Sequence, residues 1–281
     1  MQPANVTSDG AENGPPWRIH ITGAARSGTT LMLALMGNCF QIDGAVARET
    51  RLWRAPVRGR HIVLTKQPDD ERLALLLARL DPRLHVIYMM RDPREVIVSI
   101  HGTDPERYWS NLRAWRESVC RAERYLGHPR VHLVRYDRLM RDPDAVQHEL
   151  AAAMPFLKVT RPFSRFHEHA ELSDPQWKRA MGSIRSLSPA TLGAWRNHLP
   201  RLKAQIALHG DISEELIRLG FETDKNWLAL LDGVEADPRP SRTSEQRSFR
   251  RRLNHAWRDT IGAAGHLLQR MGLRVNSTSA R

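Results

Sequence analysis

The chain has 281 residues, 41% of them hydrophobic, and a formal net charge of +12. That length and apolar content suit one sizeable α/β domain with appendages rather than two cores, and the charge favours an anionic cofactor, polyanion or charged surface as neighbour. Only two cysteines occur, Cys39 and Cys120, each in an apolar helical pattern, so a disulfide framework or zinc site is excluded and both read as core residues of a reducing compartment.

No run of 18 uncharged apolar residues is present, and residues 1–16 are polar and rich in Gly, Pro and Asn rather than basic and then apolar. The expectation is a soluble, cytoplasmic protein with a disordered leader over 1–16. Arg18 to Leu31 is the first informative stretch. A β-branched run (Ile19, Ile21, Thr22) stops at Gly23, a loop runs to Gly28, and a helical pattern starts at Thr29 and Thr30. Glycines there let backbone N–H groups converge where the positive helix terminus attracts a phosphate. An ATP-binding P-loop has a lysine after its second glycine; here that position is Thr29, and the cation, Arg26, lies inside the loop.

Val46 to Trp53 places Glu49 between Arg48 and Arg51. An acid held there is a plausible proton acceptor, though on spacing alone a solvated salt-bridge cluster is the better reading. His61 to Lys66 reads as a buried strand ending in a lysine, and Asp69-Asp70 as the cap of a helix with apolar face Leu73, Leu76, Leu77 and Leu80. Lys66 thus falls at the carboxyl end of a strand, the ligand edge of open parallel sheets. His85 to Met90 is a third strand, ended by Arg91-Asp92-Pro93. Arg91 then lies on the same edge, and Ser99 two turns into the next helix, so that both could hold one anion; pairing of Arg91 with Asp92 or Glu95 is the alternative.

Helical spacing recurs from about Pro105 to Gly127, with Trp109 off the apolar stripe and given no role. Val131 to Tyr136 is the fourth strand. Four strand-helix repeats predict an α/β three-layer sandwich with a mainly parallel central sheet, like P-loop nucleotide-binding folds. Residues 157–200 look like lids and connecting helices, with a polar loop from Ser183 and a helix from near Pro189; Ile206 to Leu219 reads as a further helix stopped by Gly220. From Glu235 a Pro- and Ser-rich linker leads into Phe249-Arg250-Arg251-Arg252. Residues 235–281 hold 10 arginines and 4 acids. Phe249, Leu253, Trp257, Ile261, Ala264, Leu268 and Met271 line one helical face. Such a basic amphipathic helix suits an anionic membrane or polysaccharide surface; packing against the domain, or against a second subunit in a homodimer, is at least as good a reading.

Two anion elements on one sheet edge, the loop Gly23 to Thr30 and the pair Arg91 and Ser99 eight residues apart, resemble those of sulfotransferases that use 3'-phosphoadenosine 5'-phosphosulfate (PAPS). The resemblance runs from about Ile19 to Gly220 and includes Val134 to Leu139, Arg141-Asp142-Pro143 and Gly193 to Leu199. It is nearest the branch of protein-tyrosine sulfotransferases and bacterial relatives, on Arg26 to Met32, Glu49-Thr50-Arg51 and Lys66-Gln67-Pro68. The resemblance implies that Arg26, Ser27, Gly28, Thr29 and Thr30 hold the 5'-phosphosulfate and that Arg91 and Ser99 hold the 3'-phosphate. It also makes Tyr136 a cofactor contact, Glu49 the base, and Arg26 and Lys66 the catalytic cations. Where that branch has a PAPS-contacting serine, Gly193 aligns; Arg185 or Arg196 could supply a charge nearby, and neither is assigned a role.

The organisation expected is a sulfotransferase domain over 17–234 and a basic linker with an amphipathic helix over 235–281. PAPS is the expected co-substrate, no metal is needed, and the acceptor is a hydroxyl on a glycan, lipid-linked sugar or small metabolite. No nucleic-acid partner is expected. The alternatives are a P-loop nucleotide-dependent kinase, and a basic nucleic-acid- or membrane-binding protein on a degenerate nucleotide fold.

Overall fold

The computed structural model describes residues 14–46, 48–101, 104–170, 184–246, 249–271 and 273. The expected leader up to residue 13, and Ser183, lie outside them. Five strands form the central sheet: β1 (Trp17–Gly23), β2 (Gly44–Ala45), β3 (Ile62–Lys66), β4 (Leu84–Met90) and β7 (Val131–Arg135). Their order is β2-β3-β1-β4-β7 and every pairing is parallel, as the strand-helix alternation predicts. Side chains alternate across it with period two. Ile19, Ile21, Leu64, Ile87 and Met89 join the core under α1 (Thr29–Cys39) and α6 (Pro143–Ala153). Val86, Tyr88 and Met90 join the core under α2 (Glu71–Leu80) and α4 (Leu112–Glu123). Because β1 has β3 on one side and β4 on the other, successive crossovers leave it in opposite directions. That opens a crevice beyond its carboxyl end.

Several local expectations are corrected. The helix after β4, α3, spans only Pro93–Ile97, so Ser99 lies beyond it and immediately before β5 (Ile100–His101). The pairing of Ile100 with Tyr108 draws the chain out of the helix beyond Val98. β5 pairs antiparallel with β6 (Asp104–Tyr108), which the sequence reading took as the start of a helix; α4 instead begins after Asn111, whose side chain accepts from the Ala114 N–H. Tyr136 is not the end of a strand but opens α5 (Tyr136–Arg141). Asp70 does not cap α2: it is buried and binds Arg51 and the Leu52 N–H. On α2, Leu73 and Leu77 are buried as expected but Leu76 and Leu80 are exposed, with Ala74, Leu75 and Ala78 buried instead. Cys39 is buried and burial pushes its thiol up to about 11, whereas Cys120 is exposed rather than core.

Past Phe166–His169 (α7), Pro189–Thr191 and Ala194–His198 are 3₁₀ turns, not one helix. The helix expected over 206–219 is two: α8 (Leu199–His209) and α9 (Ser213–Arg218), broken at Gly210, whose φ is +84°. Residues 236–246 are no free linker. The Tyr108 hydroxyl donates to Asp237 (2.6 Å), and buried Arg201 donates to Ser241 Oγ (2.6 Å). The final helix, α10 (Phe249–Arg270), packs against the domain at Leu52–Arg54 and α2. Among the described residues no helix is long and apolar enough to cross a membrane.

Three buried or half-buried histidines are held neutral. Desolvation lowers His20 to about 3, and His85 and His132 to about 4 each. A depressed histidine costs the fold nothing above its unfolded pKa of about 6.5 and progressively more below it, at up to about 1.4 kcal/mol per pH unit per group. Thermal unfolding should therefore show the melting temperature falling as pH drops from 6.5 towards 4, with His20→Gln flattening part of that slope.

Candidate anion-binding active site

β1 ends at Gly23, where φ is +140° and an added Cβ would lie 2.4 Å from the Met89 carbonyl oxygen, so only glycine fits. The chain then turns through Arg26, the one non-glycine residue at positive φ (+72°) among those described, and Gly28 at +96°. Gly28 is the N-cap of α1. No side chain caps this helix and its first turn carries no acid, so its N–H groups and positive terminus remain open to the loop. Thr29 is buried at the first helical position, and Ser27 is wholly buried with no hydrogen-bond partner for its Oγ. A buried hydroxyl without a partner costs about 1–3 kcal/mol, which an anion seated in the loop would offset.

The sequence-predicted cations surround this terminus. Arg26 Nε donates to Ser99 Oγ (2.7 Å), and Arg91 Nη1 donates to the Arg26 carbonyl (3.1 Å). Arg91 Nη2 also meets Glu95 Oε2 at 3.3 Å, so the expected alternative pairing is present alongside, while its buried Nε has no partner. The Arg91 guanidinium stacks on the Tyr136 ring at 4.2 Å, and the same ring closes over Gly28, where a Cβ would be 2.5 Å from Tyr136 Cδ2. Burial first, and then the charge of Arg91, hold Arg26 below the usual guanidinium range. On the β3 side, Lys66 Nζ donates to Thr30 Oγ1 (3.1 Å) and to Glu49 Oε1 (2.6 Å). Lys66 is buried and the Glu49 side chain is 51% exposed.

All ten predicted residues therefore meet at one edge of the sheet, as two linked groups. Arg26, Gly28, Arg91, Ser99 and Tyr136 form the first; Glu49, Lys66 and Thr30 form the second, and Ser27 and Thr29 join them along the loop. Arg51 leaves the expected charged cluster. It binds Asp70 (2.5 Å), whose carboxyl burial raises to about 6, and stacks over Trp53.

Three residues that the sequence names without assigning a site role also contribute. Trp109 faces the cleft: its ring lies 5.7 Å from Arg26 Cζ, and its backbone N–H donates to the Ser99 carbonyl (2.8 Å). Glu95 is buried, and its Oε1 accepts from the Gly193 N–H (2.7 Å). The four-residue spacing from Arg91 was the available signal for Glu95. Gly193 sits at φ +85°, and a Cβ there would meet Arg196 Nη1 at 2.6 Å, so this position serves through its backbone. Arg196 stacks on Trp195, and Arg185 is exposed. Among the described residues no group of three or more His, Cys, Asp or Glu is placed to hold a metal ion.

Fold and site together define an α/β protein with a parallel five-stranded sheet and a candidate anion cradle at the end of β1. Residues 38–154, from the end of α1 to the turn after α6, match the model of the Sulfotransferase family. That stretch contains Glu49, Lys66, Arg91, Ser99 and Tyr136, and it agrees with the family that the motifs resemble. No curated protein matches the chain. Among solved structures it is similar to the sulfotransferase domain of the curacin biosynthetic pathway (15% identity, TM-score 0.41, covering 64% of this chain and 86% of that one). The sulfotransferase domain of the Synechococcus PCC 7002 olefin synthase is also similar (15%, 0.44, 66% and 90%). So is a retinol dehydratase in complex with androsterone and the inactive cofactor PAP (14%, 0.38, 79% and 83%).

Gly28→Ala tests the cradle. The strained φ and the clash with Tyr136 should cost about 1–3 kcal/mol of stability. In a double-mutant cycle read by chemical denaturation, Tyr136→Ala should relieve part of that cost; strictly additive losses would show that ring and glycine are not coupled.

Proposed function

We propose that the chain is a sulfotransferase that moves a sulfuryl group from PAPS to a hydroxyl acceptor by in-line displacement. The observation that carries this is the convergence of Arg26, Lys66 and Arg91 on an uncapped helix N-terminus, beside a half-exposed carboxylate. PAPS supplies an activated sulfuryl group on a phosphate leaving group. The residues fit such a doubly anionic molecule: Ser27 Oγ and Arg91 Nε are buried donors without partners, and Gly23 and Gly28 leave backbone exposed where a side chain would stand.

In this reading the first turn of α1, Ser27, Arg26 and Lys66 bind the phosphosulfate end and neutralise the charge that grows on the bridging oxygen as the bond breaks. Arg91 and Ser99 hold the 3'-phosphate, with Tyr136 packed against Arg91. Arg26 reaches Ser99, so its charge stands between the two anion positions. Glu49 contacts Lys66 through one oxygen, and its exposure leaves the carboxylate accessible to an incoming hydroxyl, whose proton it accepts.

Calorimetry with adenosine 3',5'-bisphosphate should show binding that Arg91→Ala weakens about 10- to 100-fold, the value of one charge-assisted contact. Failure of the wild-type chain to bind would sink the proposal, as would magnesium-dependent ATP hydrolysis in its place. Glu49→Gln should lower kcat about 10²- to 10⁴-fold while bisphosphate affinity stays unchanged. Lost binding in that variant would make Glu49 a structural residue.

A further inference from the structure

Helix α10 takes no part in the anion cradle, and it faces the domain with its polar side. Gly262 and Gly265 lie against Trp53, where added Cβ atoms would stand 2.6 and 3.0 Å from the indole. His266 pairs through Nε2 with Asp81 (2.7 Å) and through Nδ1 with Arg18 (3.0 Å). Gln269 accepts from Arg18 (2.9 Å) and donates to the Trp53 carbonyl (2.7 Å). The apolar residues Leu253, Trp257, Ile261, Leu268 and Met271 all point away and are exposed, Trp257 most of all at 69%. At 100° per residue they form one stripe opposite the docked face. The amphipathic helix is thus fixed to the domain with its apolar face outward.

We infer that this stripe seats the protein on an anionic lipid bilayer. The charge of the helix selects that occupant over a second copy of the chain. Residues 249–270 carry five arginines (Arg250, Arg251, Arg252, Arg258 and Arg270) against one acid, Asp259. That acid is engaged by Arg72 at 3.0 Å. Arg258 and Arg270 are likewise paired, with Asp69 (4.0 Å) and Asp81 (3.7 Å), which leaves the run Arg250, Arg251, Arg252 as the remaining charge of the helix. Laid stripe to stripe, a second copy would bring no uncommitted carboxylate of its own helix to that run in either orientation. An anionic surface complements the same charges, at about 1 kcal/mol per arginine near the headgroups. A helix of this pattern lies in the plane of the interface with its apolar stripe among the acyl chains and a tryptophan at the boundary.

The test uses the full chain and vesicles of phosphatidylcholine with or without about a third phosphatidylglycerol, by co-sedimentation at low and high salt. Binding should require the anionic lipid and weaken with salt. Replacing Trp257 and Ile261 by Ser should lower the partition coefficient about 10²- to 10⁴-fold, since two buried apolar side chains are lost from the stripe. Both side chains are exposed, so the variant should melt as the wild type does and bind adenosine 3',5'-bisphosphate equally. Three results would overturn the inference. One is no binding to anionic vesicles; another is binding that the serine pair leaves intact. The third is a dimer in sedimentation velocity that the serine pair abolishes, which would assign the stripe to a second copy.

Discussion

One hydrogen bond, from Arg91 Nη1 to the carbonyl of Arg26 (3.1 Å), ties the end of β4 to the loop that follows β1. The rest of the site follows from it. Arg26 occupies a left-handed conformation that a non-glycine residue holds at a cost of about 1–3 kcal/mol. Its carbonyl is pinned by Arg91 and its side chain by Ser99, so both ends of the residue are fixed across the crevice. The same contact brings two guanidinium groups close in a partly desolvated space. Burial first, and then repulsion between the two charges, hold Arg26 below its ordinary pKa. A site assembled from mutually repelling cations favours any anion that can lie between them.

Two carboxylates answer these cations in different ways. Glu95 is buried, with one oxygen on Arg91 and the other on the Gly193 N–H, so both of its acceptor positions are committed. It fixes Arg91 and ties the segment before α8 to the sheet edge. Glu49 meets Lys66 through Oε1 and is half exposed. Only the second carboxylate combines contact with a buried cation and access from solvent. Position in the fold, rather than residue type, separates the acid that braces the site from the one suited to receive a proton.

The part of this arrangement legible in the sequence is the part set by short-range chemistry. Gly23 and Gly28 mark positions where a Cβ has no room, and Lys66 and Arg91 close short continuous apolar runs of strand length, so strand ends and ligand edge are readable directly. Ser99 reaches Arg91 through Arg26, and it lies just before β5 where its spacing predicts a helix. Apolar spacing over Val96, Ile97 and Ile100 fits a helix as well as a strand, and the pairing of β5 with β6 decided between them. Trp109, Glu95 and Gly193 have no assigned role in the sequence because the contacts that recruit them, Trp109 with Arg26 and Glu95 with Gly193, lie at long range. The Gly193 N–H meets a carboxylate 98 residues away.

Helix α10 shows the same limit from the opposite side, since its apolar periodicity was plain and its orientation was not. The face of β1 turned towards it carries Arg18 and His20 rather than apolar side chains. Arg18 is buried deeply enough for desolvation to push it down to about 10, and it donates to His266, Gln269 and the Leu52 carbonyl. Turning the apolar stripe into that groove would strand Arg18 and Asp81 as buried charges without their partners on α10, a loss of about 3–5 kcal/mol for a broken buried pair. Large side chains in place of Gly262 and Gly265 would also collide with Trp53. The groove therefore accepts only the small and polar face. The apolar stripe is directed outward by the charge on β1 and stays exposed among the described residues.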